Sequence, residues 1–212
     1  MISKEELLEV LSEYDFTEEQ KNRIAKSKNV LKVGQIDKIK GNLNVLINNN
    51  IALEKISKCT RVLLENTSFK IEEILKVMEK HEISKEKIEK CLYVLAKGKA
   101  QEIEDILKAL DENGIPKEKI ENCLSILAQG KITGKAEEIE EILKVLEKHE
   151  ISTETIENCL YVLAKGKAEE IEEILKVLEN HKIATETIEN CLTVLATGKA
   201  EEIEEILKVL EK

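Results

Sequence analysis

"GKAEEIEEILKVLEKHEISTETIENC" (Gly134–Cys159) returns almost letter for letter as "GKAEEIEEILKVLENHKIATETIENC" (Gly166–Cys191). An enzyme needs one active site and has little use for copies. A surface that tracks something long is extended by each copy. The cysteines mark the register. Cys59, Cys91, Cys123, Cys159 and Cys191 fall at one place in each copy, separated by 32, 32, 36 and 32 residues. The extra four residues come from a single insertion, where "AQGKITGKAEE" (Ala128–Glu138) stands for the "AKGKAEE" of Ala164–Glu170. A period of this length is the signature of an α-helical solenoid.

Each period divides into two amphipathic segments. Ile88, Cys91, Leu92 and Leu95 are spaced i, i+3, i+4, i+7, and Ile103, Ile106, Leu107 and Leu110 repeat that spacing. Each spacing predicts a helix with one apolar stripe. Neither stripe can be buried by its own helix, so the units must stack. The expected fold is all-α: two-helix tandem repeats of about 32 residues stacked into a right-handed α-solenoid. Ala96 and Ala100 are small where the two helices approach their turn. Ser84 and Ser152 stand where the first helix needs an N-cap. In "NGIPKEK", Gly114 ends one helix and Pro116 opens the next. The turn inside each unit contains Gly98, Gly130, Gly166 or Gly198.

The register reaches the N-terminus in worn form. "ELLEVLSEYDF" (Glu6–Phe16) and "NLNVLINNNI" (Asn42–Ile51) align with "EILKVMEKHEI" (Glu73–Ile83), and Ser3-x-x-Glu6 and Thr17-x-x-Gln20 read as capping boxes. Residues 1–50 are thus expected to be divergent capping repeats, and residues 51–212 a regular array within one continuous solenoid. The array opens and closes on a second-type helix. Its closing "AEEIEEILKVLEK" is unaltered from the interior, which leaves self-association through an open end as an expectation.

Composition narrows the function. Of 212 residues, 42% are apolar and 36% charged, with one proline and no tryptophan, the make-up of long amphipathic helices. The net charge of -10 opposes a simple nucleic-acid or anionic-membrane binder. "MISKEELLEV" has no apolar leader core and no run approaches membrane-spanning length, so an intracellular, cytoplasmic protein without membrane contact is expected. Stacked repeats hold equivalent Cα atoms roughly 9–10 Å apart, and disulfides need less than about 7 Å. The cysteines therefore read as small core residues. His81, His149 and His181 fall one per repeat at the ends of second helices, without the clustered ligands a metal needs. No metal or cofactor is called for. No Ser-His-Asp, Cys-His, paired-carboxylate or phosphate-loop constellation interrupts the pattern, so catalysis is not expected.

Comparing the copies shows which positions vary. One is Arg61, Tyr93, Ser125, Tyr161 and Thr193, which lies about 100° around the helix from the core leucine. Another, four residues on, is Glu65, Lys97, Gln129, Lys165 and Thr197. Together they form a candidate partner-binding row on a constant frame. A second row is constant: Lys99, Lys135, Lys167 and Lys199, each after glycine at the start of a second helix. Free N–H groups and the helix dipole there favour an anion. Residues 17–50 carry a net charge of +4. Lys21, Arg23, Lys26 and Lys28 therefore join the turn lysines as candidate phosphate contacts.

"HEISTETIENCLYVLAKGKAEEIEEILKVLE" (His149–Glu179) resembles the repeat of transcription activator-like effectors. The shared features are a His near the repeat end, an Ile/Leu-Ser/Thr-x-Glu-x-Ile/Val helix start, a Gly-Lys turn and a closing Leu-x-Val-Leu. The resemblance implies double-stranded DNA read by the turns, with phosphate beside Gly98–Lys99, Gly134–Lys135, Gly166–Lys167 and Gly198–Lys199. Mitochondrial transcription-termination-factor repeats are similar too, although their first-helix proline is missing here. The repeat departs from the effectors in its 32-residue length and its longer first helix. The unit Ile151–Lys182 also carries a net charge of -3.

Two functions follow. The first is a non-enzymatic scaffold that binds a protein or extended peptide along the variable row, a basic or amphipathic segment fitting the overall acidity. The second is a sequence-reading DNA-binding repeat protein.

Overall fold

The computed structural model describes residues 2–122, 124, 135–158 and 161–210. Every regular element among them is helical. In chain order these are α1 (Lys4–Ser12), α2 (Glu18–Ala25), α3 (Lys28–Val33), α4 (Ile36–Asn48), α5 (Leu53–Lys58) and a 3₁₀ turn (Thr60–Leu63). There follow α6 (Ser68–Lys80), α7 (Lys85–Lys90), α8 (Tyr93–Lys97), α9 (Ala100–Glu112), α10 (Lys117–Asn122) and α11 (Lys135–Lys148). The chain continues with α12 (Thr153–Asn158), α13 (Tyr161–Lys165), α14 (Ala168–Asn180), α15 (Thr185–Asn190), α16 (Thr193–Thr197) and α17 (Ala200–Leu210). No described helix is long and apolar enough to cross a membrane.

The second-type segments are the long helices α1, α4, α6, α9, α11, α14 and α17, as their stripes require. Ile103, Ile106, Leu107 and Leu110 are all buried. The first-type segment is where the structure differs from the two-helix expectation. It is two short elements that meet at the cysteine: α5 and the 3₁₀ turn at Cys59, α7 and α8 at Cys91, α15 and α16 at Cys191. The backbone leaves the helical region there, with Cys91 at φ −129°, ψ 39° and Cys59 at φ −117°, ψ 64°.

The break has a packing reason. In an unbroken helix Val94 would lie about 120° off the Ile88–Leu92–Leu95 stripe. In the structure Val94, Leu95 and Ala96 are all buried in succession. A helix with one apolar face cannot bury three consecutive residues; a short helix enclosed by neighbours can. α8 has them, in α6 and the 3₁₀ turn of the preceding repeat. The cysteines at the break are consequently not core residues: Cys59 and Cys91 are half-buried, Cys191 is exposed, and all three are free thiols. Cys123 and Cys159 lie outside the described residues.

Five of the long helices, α4, α6, α9, α11 and α14, end in one device. Asn50, Glu82, Gly114, Glu150 and Lys182 take positive φ, between 53° and 75°. Each turns its own N–H to the carbonyl three residues back, while the following isoleucine N–H reaches five back, as in Glu82 N–H to Glu79 O and Ile83 N–H to Met78 O, both 2.8 Å. This is the left-handed C-terminal cap with its apolar contact. At the helix starts, Ser3 and Thr17 form the expected capping boxes. Ser152 Oγ accepts from Thr155 N–H at 3.3 Å. Ser84 makes no side-chain cap bond to α7.

A different cap comes from the neighbouring repeat. Glu89 Oε1 accepts the Ala52 N–H at 2.8 Å, and Glu189 Oε1 accepts the Ser152 N–H at 2.7 Å. Glu89 and Glu189 hold the same place in their periods, and each closes a helix start of the period before its own.

The described residues divide into two compact units, one up to Glu104 and the other from Asp105 onward. In the first, α1 packs on α2 and α4, α2 on α5, and α4 on α6. In the second, α11 packs on α14, α14 on α17, and α13 on α16.

Candidate interaction surface

The variable row is built on the short helices. Tyr93 opens α8, and Arg61 sits in the 3₁₀ turn one period earlier. Since the two elements pack together, equivalent positions of consecutive repeats meet. Arg61 Nη1 donates to Tyr93 Oη at 3.1 Å, and the Arg61 guanidinium carbon lies 5.5 Å from the centre of the Tyr93 ring. Lys97 Nζ lies 5.4 Å from the same centre. Both are cation–π distances.

Glu65 completes the group. Its carboxylate is 3.8 Å from Arg61 Nε and 3.7 Å from Lys97 Nζ. The Tyr93 hydroxyl, ahead of the Glu65 carboxylate, holds the Lys97 ammonium above its ordinary range. The result is a half-buried aromatic ring gripped by two cations, which one carboxylate holds in place. Such a ring keeps an apolar body and a polar tip available to a partner at little entropic cost.

In the second unit, Thr193 opens α16 and is exposed, Thr197 Oγ1 donates to Thr193 O at 3.3 Å, and Lys165 at the end of α13 is half-buried. α13 and α16 are in contact, as α8 and the 3₁₀ turn are in the first unit. Ser125, Gln129 and the side chain of Tyr161 lie outside the described residues.

The constant lysines are differently placed. Lys99, Lys167 and Lys199 each pair with the glutamate three residues on, at 2.6, 2.7 and 2.9 Å. Each helix start carries its own counter-ion, and a phosphate would have to displace it. Lys135 begins α11, its side chain outside the described set. In the N-terminal region Lys21 pairs with Glu18 at 2.9 Å and Arg23 with Glu19 at 2.6 Å. Arg23 Nη1 also donates to Ser57 Oγ at 3.1 Å, so both side chains bind their own protein. Lys26 and Lys28 are exposed.

Two features escaped the sequence reading. Asn42, fully buried, stands where every later repeat has isoleucine. Its amide donates to Val62 O at 3.1 Å and Asn66 O at 2.9 Å. Asn66 stands where later repeats have glycine, and donates in turn to Leu95 O and Gly98 O at 2.9 and 3.0 Å. The available signal was the paired departure of the two asparagines from the repeat. The second feature is an open cleft of about 380 Å³ between successive turns, lined by residues that include Asn48, Asn50, Glu79, Glu82, Lys85 and Ile88. Its lining offers carboxylates, amides and an amine but no His, Cys or Ser.

Among the described residues no group of three His, Cys, Asp or Glu could hold a metal ion. His149 Nδ1 is 2.5 Å from Glu179 Oε1, an inter-repeat contact. No protein-family model matches the chain, and neither does any curated protein or solved structure.

Proposed function

We propose that the chain is a non-enzymatic α-solenoid scaffold that binds an extended protein segment along the row containing Arg61, Tyr93 and Lys97. The direct Arg61–Tyr93 contact supports this most. Two positions 32 residues apart, each free to vary between copies, form one continuous patch. A row that is contiguous in space can be read by one extended partner, and changing a copy changes the surface without disturbing the frame.

Local charge refines the partner. The net charge of -10 suggested a basic segment. At the row itself two cations face a single carboxylate. A segment carrying carboxylates, with an apolar side chain to lie on Tyr93, is the better fit.

The test is a selection of random peptides on the full chain, followed by affinities of the selected peptides for two variants. Tyr93→Ala combined with Arg61→Ala should weaken binding at least about tenfold, as loss of an aromatic–arginine hot spot does. Lys99→Glu, away from the row, should leave it unchanged. Peptides that bind the double variant as well as the parent sink the proposal. So does tight, steeply salt-dependent binding to a random-sequence DNA duplex that Lys99→Glu abolishes, which would move the function to the turn lysines.

A further inference from the structure

The cleft at the end of α4 lies where the repeat lacks two of its own side chains. In the repeat register Asn48, Asn49 and Glu79 correspond to Lys148, His149 and Glu179. The later repeat bridges its neighbour at both positions. Lys148 pairs with Glu172 of the next long helix, and His149 Nδ1 lies 2.5 Å from Glu179 Oε1. The His149 side chain is 6% exposed, so the ring is enclosed where it joins α11 to α14. Asparagine is too short for either bridge. Asn49 Nδ2 turns back to Val45 O of its own helix at 2.8 Å, as Asn113 Nδ2 does to Ala109 O. The Glu79 carboxylate is left without a hydrogen-bond or ion-pair partner among the described residues. Asn49 and Glu79 both line the cleft, and Ile51, Leu75 and Ile83 supply its apolar wall. Its volume of about 380 Å³ is that of a small-ligand site.

The intact repeat says which group fits. The nitrogen of His149 that faces the Glu179 carboxylate carries a proton to donate, while Nε2 of His149, like Nε2 of His81, is buried with no partner. The position thus answers one N–H donor and covers the rest of the ring. An imidazole needs no more than that. A guanidinium brings five N–H donors and an ammonium three, and burying them unanswered is costly. A phenyl ring has nothing to give Glu79. The three histidines of the chain, His81, His149 and His181, each hold this place in their own repeats, so the ring that fills the cleft comes from another molecule.

We infer that the cleft between α4 and α6 binds a histidine side chain of a partner protein, which donates a ring N–H to Glu79 and rests on Ile51, Leu75 and Ile83. The site is separate from the row at Tyr93. α6 starts just after Glu65 and ends at the cleft, and its 13 residues span about 20 Å. The inference therefore stands or falls independently of the binding row.

Titration of the isotope-labelled full chain with N-acetylhistidine methylamide, followed by backbone amide NMR, tests it. Shifts should be confined to residues 48–51 and 79–88 and saturate with a dissociation constant of about 1 mM, the scale of a single side chain. Asn49→His, which supplies the ring from within the chain, should abolish them. Glu79→Ala should weaken binding at least about tenfold, and Tyr93→Ala should leave it unchanged. Asn49 and Glu79 are exposed, so both variants should keep the helical circular dichroism of the parent. The absence of saturable shifts at about 20 mM probe overturns the inference. So does an Asn49→His variant that binds as the parent does, or an arginine or phenylalanine analogue that matches the histidine probe in affinity.

Discussion

At the scale of single residues, the left-handed turn that ends α4, α6, α9, α11 and α14 sets an experiment. Glu150 and Lys182 hold φ of 59° and 57°, a left-handed conformation that costs an ordinary L-residue about 1 kcal/mol. Glycine pays no such cost there, although it gives back part of the gain through the freer unfolded chain. Glu150→Gly and Lys182→Gly should each raise stability by about 0.5–1 kcal/mol in urea denaturation. Gly114→Ala should lower it by a similar amount. Its φ is 75° and no atom lies within 4 Å of an added Cβ, so the whole cost is conformational. The glycines inside the repeat are there for another reason. Gly98 is extended, at φ −65°, but an added Cβ would come within 2.6 Å of both the Val94 carbonyl and Ile103 Cδ1.

The cysteines differ from one another by burial. Burial pushes the Cys91 thiol up to about 11 and raises Cys59, while Cys191 is exposed. Because the thiolate is the reactive species, dilute protein at mildly alkaline pH should be alkylated at Cys191 well before Cys91. Peptide mapping after timed iodoacetamide treatment measures this. Equal rates would mean that the break at Cys91 is open to solvent.

At the scale of elements, consecutive long helices are joined by ion pairs on their outer sides. Lys80 pairs with Glu104, and Lys148 with Glu172 at 2.5 Å. Lys148, assisted by Lys176, lowers the Glu172 carboxyl from 4.5 to about 2. A carboxylate with a depressed folded-state value stabilises the fold above its unfolded value, and that contribution is lost as pH falls toward about 2. In an NMR titration Glu172 should have its midpoint near 2. Lys148→Ala should return it toward the ordinary carboxylate range, more than Lys176→Ala does. A Glu172 midpoint near 4.5 in the parent would show that the inter-helix pair does not form in solution.

For the molecule as a whole, a repeat that contacts mainly its neighbours is removable. Deleting residues 164–195 rejoins Leu163 to Ala196 in the register of the original, with the same residue type, alanine, following Leu163. The shortened chain should fold with the same helical content per residue, and its denaturant slope should fall by about 15%, in proportion to the surface removed. A chain that no longer unfolds cooperatively would mean that the copies do not stack as interchangeable units.

The sequence by itself determined the period, the seven long helices and the apolar stripe each one carries. Isoleucine and leucine at helical spacing have only one way to leave water, and Gly114 and Pro116 punctuate by local backbone sterics. It also marked out Arg61, Tyr93 and Lys97 as positions free to vary. Tertiary structure alone decided that the first segment breaks at the cysteine, because the break serves the burial of Val94 between neighbours that are remote in sequence. It alone brought Arg61 onto Tyr93, placed Glu89 at the helix start of the preceding repeat, and fixed the partners of Asn42. The reason is physical: a periodic stripe is a property of one helix and can be read along the chain, whereas a contact between repeats depends on two surfaces 30 or more residues apart and exists only once they pack.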